Sequence, residues 1–190
     1  FIYEAMGNYT LYGAFEAIFH SVSAFCNAGF STLENGLFHP DYRNNYLLLN
    51  SLSWLIIFGG IGFPILFNVW QWIKLRCLQL YDKMFRKSRR MFDHKARTLT
   101  SNTVIAVIMT LVLVVGGTIL FFTTEYNNVL QDDSSVWGKL STSFFLATVP
   151  RTAGFASFNM GSLTSISVVI MILYMWIGGS PMSTAGGIKT

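Results

Sequence analysis

Long apolar runs alternate with polar stretches along this chain, and three of the runs reach or approach the length of a membrane helix. They cover residues 46–73, 104–123 and 163–177. At ~1.5 Å per residue, the first two runs are long enough to cross a hydrocarbon layer of ~30 Å. The third is too short to cross unless it continues past Gly178. The pattern therefore predicts an all-α membrane protein.

Two shorter apolar runs, residues 11–25 and 136–149, have a different character. Each contains hydroxyl or imidazole side chains and leads directly into a polar turn with glycine near its centre. A helix of about 12 residues reaches only ~18 Å, which does not cross a bilayer. We therefore expect each of these runs to form a re-entrant, interfacial or protein-buried helix.

The composition supports a bilayer as the solvent for much of the surface. Hydrophobic residues make up 52% of the 190 residues. Charged residues make up 12%, about half of the ~25% that is typical of soluble domains. Mean hydropathy is +0.47. These values exclude the disordered, collagen-like and disulfide-scaffold classes.

Charge predicts the orientation of the helices. Residues 74–97 hold nine of the thirteen Lys and Arg residues, and only Asp82 and Asp93 oppose them. By the positive-inside rule this basic connector is cytoplasmic. A nucleic-acid patch is disfavoured there, because apolar runs flank the connector on both sides. The same topology places Cys26 and Cys77 on opposite sides of the membrane, which disfavours a disulfide between them.

A nine-residue pattern occurs twice and predicts an internal repeat. Residues 23–31 read SAFCNAGFS, and residues 148–156 read TVPRTAGFA. Both copies place Ala-Gly-Phe after a short apolar run. Both are followed by a polar stretch, an apolar helix and a glycine pair, at residues 59–60 and 178–179. The shared order predicts pseudo-repeats of helix, re-entrant pore helix, loop and helix.

The glycine at the centre of each loop permits backbone angles that other residues avoid, so successive carbonyl oxygens can point at one site. Non-helical backbone at membrane depth is tolerated only where protein buries it or water lines it. Rings of carbonyl oxygens form cation filters in such places. Neither loop contains a carboxylate, which disfavours selection by an acidic ring. The alternative is that each glycine only caps the preceding helix; two copies in matching contexts favour a pore loop.

Four segments resemble the superfamily of K+ transporters that includes the bacterial Trk and Ktr systems and the plant HKT proteins. They are SAFCNAGFST at 23–32, GGIGFP at 59–64, VPRTAGF at 149–155 and GGSPMSTAGGIKT at 178–190. The chain is most similar to the Ktr-type pore subunit, KtrB, and TrkH-type subunits share these motifs. The resemblance implies a K+-channel-like fold, in which four pseudo-repeats of helix, pore helix, filter loop and helix surround one pore.

The resemblance also implies that the chain is an internal fragment of such a protein. Residues 1–75 are expected to form the pore helix, filter loop and inner helix of the second repeat, and residues 76–103 the basic cytoplasmic connector. Residues 104–190 correspond to the third repeat and end within an intramembrane loop that gates the pore. Selectivity that depends on the first filter is outside this chain.

The function implied by the resemblance is transmembrane K+ uptake, with K+ held by backbone carbonyls only and no organic cofactor on this chain. The implied filter residues are Cys26, Asn27, Ala28, Gly29, Arg151, Thr152, Ala153 and Gly154. The implied gate loop consists of Gly178, Gly179, Ser180, Pro181, Met182, Ser183, Thr184, Ala185, Gly186 and Gly187.

Two of these assignments, Arg151 and the gate loop, have alternatives. The Arg151 side chain is expected to point behind its loop and to donate to carbonyls or a carboxylate, and an outer electrostatic barrier is the second reading. Residues 178–187 would otherwise be a kinked helix-packing site, since small residues favour close helix contact. A phosphate-binding loop is disfavoured by the spacing, because Ile188 separates the last glycine from Lys189. His20 is expected to be a packing or interfacial residue.

The resemblance implies a homodimer that sits on cytosolic nucleotide-binding subunits of the RCK type, which resemble KtrA and TrkA. The basic connector is a candidate contact with that ring or with anionic membrane lipid, although topology alone explains its charge equally well. The expected location is the cell membrane, as a multi-pass protein of a bacterial plasma membrane, with no nucleic-acid partner. Na+ or mixed-cation transport and a non-transporting scaffold are the alternatives. An enzyme is disfavoured because no acid/base pair, nucleophile set or metal cluster stands out.

Overall fold

The computed structural model describes residues 2–7, 10–33, 36–85, 100–132, 135–151, 153–157 and 159–189. Within these ranges the chain is helical, with short 3-10 turns and one isolated parallel bridge between Ile177 and Ile188. The predicted all-α class is confirmed. The helices are α1 Ile2–Met6, α2 Leu11–Phe25, α3 Pro40–Arg43, α4 Tyr46–Ile61, α5 Phe63–Phe85, α6 Ser101–Glu125, α7 Val136–Thr148 and α8 Ser165–Trp176.

Hydroxyl side chains cap the starts of α2, α6, α7 and α8. The Thr10 hydroxyl accepts a hydrogen bond of 3.1 Å from the amide of Gly13 at the start of α2. Ser135 does the same at the start of α7, and Thr164 at the start of α8. Such caps satisfy one of the amides that a helix start leaves without an intrahelical partner. The bounds of α2 and α7 follow the short apolar runs that the sequence predicts.

Among the described residues, α6 is the one helix that is long and apolar enough to cross a membrane by itself. Its 25 residues extend ~37 Å. One side of α6 is buried at positions such as Thr110 and Leu113, while Ile105, Ile108 and Leu111 are exposed. An exposed apolar face of this length is suited to lipid.

The predicted span over residues 46–73 is not one helix, and this expectation was wrong. α4 ends at Ile61, α5 begins at Phe63, and the two helix axes differ by 97°. Gly62 makes the break with a φ of +85°, which side chains other than glycine rarely adopt. Pro64 follows in the first turn of α5, where a missing amide costs no intrahelical bond.

α7 lies between the two halves of the packed core. One apolar cluster joins α1, α2, α4 and α7, and includes Leu49, Leu52 and Phe145. A second cluster joins α6, α7 and α8. Close approach on this side depends on Gly117, where an added Cβ would lie 2.9 Å from the Cβ of Ala147. The packing brings the ends of α2 and α7 together, and with them the loops that follow.

Candidate functional site

The two Ala-Gly-Phe loops lie against each other. We call residues 26–31 the first loop and residues 149–156 the second loop. Gly29 and Gly154 both have positive φ, +72° and +76°. A Cβ added to Gly29 would lie 2.1 Å from the carbonyl oxygen of Ala153, so the two backbones touch at this point. The structure thus brings the two copies of the sequence repeat into one site.

The backbone amides of both loops turn back to the helices that precede them. In the first loop, the amides of Cys26, Asn27 and Ala28 donate to carbonyls of α2 at 2.8 to 3.1 Å. In the second loop, the amide of Arg151 donates to the carbonyl of Thr148 in α7 at 3.3 Å. Asn27 adopts a φ of +52°, in the left-handed region that asparagine tolerates better than most residues.

The carbonyls of the predicted filter residues differ from the loop amides in their hydrogen bonding. Within the described chain, none of the predicted filter carbonyls accepts a hydrogen bond. Buried or water-lined carbonyls without donors are the groups that replace the hydration shell of a cation. The carbonyls concerned belong to Cys26, Asn27, Ala28, Gly29, Arg151, Ala153 and Gly154. Thr152, which is also a predicted filter residue, lies outside the described residues.

A hydrogen-bonded brace lies behind the first loop. His20 is 1% exposed, with Nδ1 2.7 Å from the carbonyl oxygen of Glu16 and Nε2 2.8 Å from the hydroxyl of Ser31. A carbonyl only accepts, so Nδ1 carries the proton and Nε2 accepts from Ser31. The Ser23 hydroxyl donates to the Phe30 carbonyl at 2.8 Å. These bonds attach residues 30–31, at the end of the first loop, to α2.

The sequence did not reveal this brace, because His20 and Ser31 lie 11 positions apart and on different sides of a turn. Burial agrees with the packing role that we expected for His20. A metal role has no support, since no group of three His, Cys, Asp or Glu in the described ranges could hold an ion.

The second loop is held by apolar packing instead. At the positions of His20 and Ser31, the second copy has Phe145 and Ala156. Phe145 is buried in the core, and so is Phe155 of the second Ala-Gly-Phe motif. The two copies therefore share a backbone course but not the chemistry that supports it.

Replacing His20 with leucine should lower the thermal stability of the protein. The partly buried Ser31 hydroxyl would lose its hydrogen bond to Nε2, which costs about 0.5–1.5 kcal/mol. Thermal unfolding in detergent measures this as a lower Tm. Ser21→Ala is the matched control on the same helix, because the Ser21 hydroxyl donates to the carbonyl of Ala17 one turn earlier and makes no other bond within the described residues. The effects of His20→Leu and Ser31→Ala should not add; additive effects would show that the brace does not act as a unit.

The glycine-rich loop, residues 178–187, folds back on itself after α8 ends at Trp176. The amide of Gly178 donates to the carbonyl of Ile188 at 3.0 Å, and the amide of Ile188 donates to that of Trp176 at 3.1 Å. A Cβ added to Gly178 would lie 1.9 Å from the carbonyl oxygen of Gly186. The apolar helix therefore ends here, and the segment is a hairpin-like loop that glycine makes possible.

This glycine-rich loop packs on the break between α4 and α5. The amide of Ser180 donates to the carbonyl of Gly60 at 3.0 Å, and its hydroxyl donates to that of Ile61. The amide of Thr184 donates to the carbonyl of Gly59 at 3.3 Å. The last carbonyls of a helix have no intrahelical partner, so the glycine-rich loop caps α4.

The glycine-rich loop also contacts both Ala-Gly-Phe loops. The Thr184 hydroxyl donates to the carbonyl of Phe25 at 2.9 Å and accepts from Nδ2 of Asn27 at 3.2 Å. Nη2 of Arg151 lies 3.5 Å from the carbonyl oxygen of Gly178. Arg151 is buried with its side chain towards the glycine-rich loop, and its Nε has no partner among the described residues.

The structure describes both cysteines and part of the basic connector. Cys26 and Cys77 are both exposed free thiols, which agrees with the expected absence of a disulfide between them. Residues 86–99 of the basic connector lie outside the described residues, as does Thr190. All ten residues of the glycine-rich loop are described, and two of them, Gly178 and Thr184, make the contacts given above.

Several known proteins are similar in sequence to this chain. The potassium/sodium uptake protein NtpJ of Enterococcus hirae is 35% identical over 94% of this chain and 34% of its own length. The Ktr system potassium uptake protein B of Vibrio alginolyticus is 35% identical over 93% of this chain and 34% of its own length. The protein of the same name from Bacillus subtilis is 34% identical over 93% of this chain and 35% of its own length.

The chain thus spans about a third of the length of these curated relatives. The model of the TrkH family, described as a cation transport protein, matches residues 2–190. That match covers nearly the whole sequence, including both Ala-Gly-Phe loops and the glycine-rich loop. The chain is therefore a membrane protein that belongs to the TrkH family of cation transport proteins.

Proposed function

We propose that this chain is part of a pore that carries K+ into the cell. The observation that carries the proposal is the set of loop carbonyls without donors in the described chain, at the point where Gly29 meets Ala153. The names of the relatives support K+ as the ion, since two of them are potassium uptake proteins. No carboxylate lies in either loop, so the ion is held by backbone dipoles.

In this mechanism K+ sheds part of its water and binds carbonyl oxygens of residues 26–29 and 151–154, while two further filter loops complete the ring. The carboxyl ends of α2 and α7 precede these loops, and the negative ends of their dipoles favour a cation there. One central glycine in each loop provides fewer consecutive sites than a TVGYG filter. We expect weaker discrimination between K+ and Na+ than in a K+ channel.

Residues 178–187 act as the gate in this proposal. Support comes from the small side chains, the helix end at Trp176 and the contacts that the glycine-rich loop makes with Phe25, Asn27 and Arg151. Arg151 stabilises this loop by donating to a carbonyl, rather than acting in the path of the ion.

The remaining assignments follow the same proposal. Residues 1–75 and 104–190 belong to consecutive repeats, and residues 76–103 connect them in the cytoplasm. The protein spans a bacterial plasma membrane several times, forms a homodimer and binds a cytosolic nucleotide-binding subunit of the RCK type. K+ is its transported ion, it contacts lipid, and it catalyses no chemical reaction.

Vesicle flux tests the proposed function. The intact protein, reconstituted in lipid vesicles, should take up K+ down an imposed gradient, with a smaller uptake of Na+ under matched conditions. Equal uptake of both ions would support mixed-cation transport, which the name of the potassium/sodium relative favours. Uptake of neither ion, in vesicles that contain folded protein, would contradict transport and support a scaffold role.

A further inference from the structure

We infer that Thr184 is a positioning residue that couples the glycine-rich loop to the shape of the first loop, so that gate movement changes ion selectivity. The inference rests on the proposed function. It concerns one side chain, whose hydroxyl joins the glycine-rich loop to α2 and to the first loop across 159 positions of sequence.

The Thr184 hydroxyl binds a backbone carbonyl at the end of α2. Phe25 is the last residue of α2, and the final carbonyls of a helix lack intrahelical partners. The Thr184 hydroxyl donates to this carbonyl at 2.9 Å. At a pore-helix end, the same carbonyl carries the negative end of the helix dipole that would otherwise face a cation. The hydroxyl therefore holds this carbonyl in place at the end of α2.

The first loop also donates a hydrogen bond to the Thr184 hydroxyl. Nδ2 of Asn27 donates to the Thr184 hydroxyl at 3.2 Å, and Asn27 contributes one of the proposed filter carbonyls. The other amide atom, Oδ1 of Asn27, is buried without a partner in the described chain. Thr184 is thus the side-chain partner that this structure shows for the Asn27 amide.

The backbone of Thr184 is itself bonded to α4. Its backbone amide donates to the carbonyl of Gly59 in α4 at 3.3 Å. A Cβ added to Gly59 would lie 1.9 Å from the Phe25 carbonyl oxygen, so α2, α4 and the glycine-rich loop converge with no spare room. The glycine-rich loop cannot leave this junction without removing the partners of Phe25 and Asn27.

Coupling between two sites is reciprocal. If release of Thr184 loosens the first loop, ion binding that orders the first loop must in turn favour the seated position of Thr184. The contact with the second loop is longer, at 3.5 Å from Arg151 to Gly178. The coupling therefore acts mainly through the first copy of the repeat.

The test compares Thr184→Val with Thr184→Ser in the intact protein, reconstituted in vesicles. Valine keeps the shape but removes both side-chain hydrogen bonds, so the K+ to Na+ uptake ratio should fall about fivefold while total K+ flux rises. Serine keeps the hydroxyl and should restore the ratio. Thr118→Val is the matched control, because the Thr118 hydroxyl donates to the Val114 carbonyl within α6; its effect on the ratio should be much smaller.

The outcomes separate this inference from the function on which it rests. A parent protein that carries no K+ contradicts the proposed function. Normal K+ transport by the parent, with an unchanged uptake ratio in Thr184→Val, would overturn the inference even if flux rises. If Thr184→Val does not assemble, Asn27→Gly removes the amide while tolerating positive φ. It should lower the ratio similarly, and an unchanged ratio there also overturns the inference.

Discussion

Replacing Gly29 with alanine should abolish K+ uptake, whereas the same change at Gly154 should leave a measurable part of it. Both glycines have positive φ, so alanine brings backbone strain of about 1–2 kcal/mol at either position. Only Gly29 adds a collision, because its new Cβ would lie 2.1 Å from the Ala153 carbonyl oxygen. At Gly154 the nearest atom to a new Cβ is the Cα of Gly29, at 3.8 Å.

Growth of a K+-uptake-deficient host at low external K+ measures this difference, and vesicle flux measures it directly. Expression level and Tm of both variants serve as controls, so that loss of protein is not read as loss of transport. Equal losses of uptake at similar expression would contradict the close approach of the two loops.

Replacing Gly59 with alanine should destabilise the protein strongly, while Gly60→Ala should be neutral or slightly stabilising. Both residues are in α4, where alanine is favoured over glycine by about 1 kcal/mol. At Gly59 a Cβ would meet the carbonyl oxygen of Phe25 at 1.9 Å and the Thr184 hydroxyl oxygen at 2.9 Å. At Gly60 the nearest atom is Nδ2 of Asn27, at 3.7 Å.

Overpacking of a filled site typically costs about 1–3 kcal/mol, and contact with backbone leaves little room for relief. The Tm of Gly59→Ala should therefore fall below that of the parent, and K+ uptake should change with it as α2 is pushed away. Gly60→Ala is the internal control for helix propensity. A Tm for Gly59→Ala that matches the Gly60 variant would show that α2 and α4 are further apart than described.

Much of the fold follows from simple features of the sequence. The lengths of two short apolar runs, together with the polar turns after them, predicted α2 and α7. The capping residues Thr10 and Ser135 lie directly before these helices. The repeated Ala-Gly-Phe motif predicted two equivalent loops. Their backbone conformations are alike, with Gly29 and Gly154 both at positive φ.

The rest depends on information that apolar patterns do not carry. The run over residues 46–73 stays apolar through Gly62, so hydropathy predicts one helix where a single positive φ turns the chain by 97°. His20 and Ser31 show no helical or strand spacing that would pair them. The contact between Thr184 and Phe25 joins residues 159 positions apart, and it exists only because three segments pack at Gly59.

The bend at Gly62 also has a mechanical side. α5 leaves the bend as a helix of 23 residues, ~34 Å long, so a rotation of about 10° at Gly62 moves its far end by about 6 Å. The near end of this helix lies against the glycine-rich loop, where a Cβ on Gly62 would be 3.0 Å from the Met182 carbonyl oxygen. A small force at the far end of α5 therefore acts on Gly62, and on the glycine-rich loop beside it, with a large mechanical advantage.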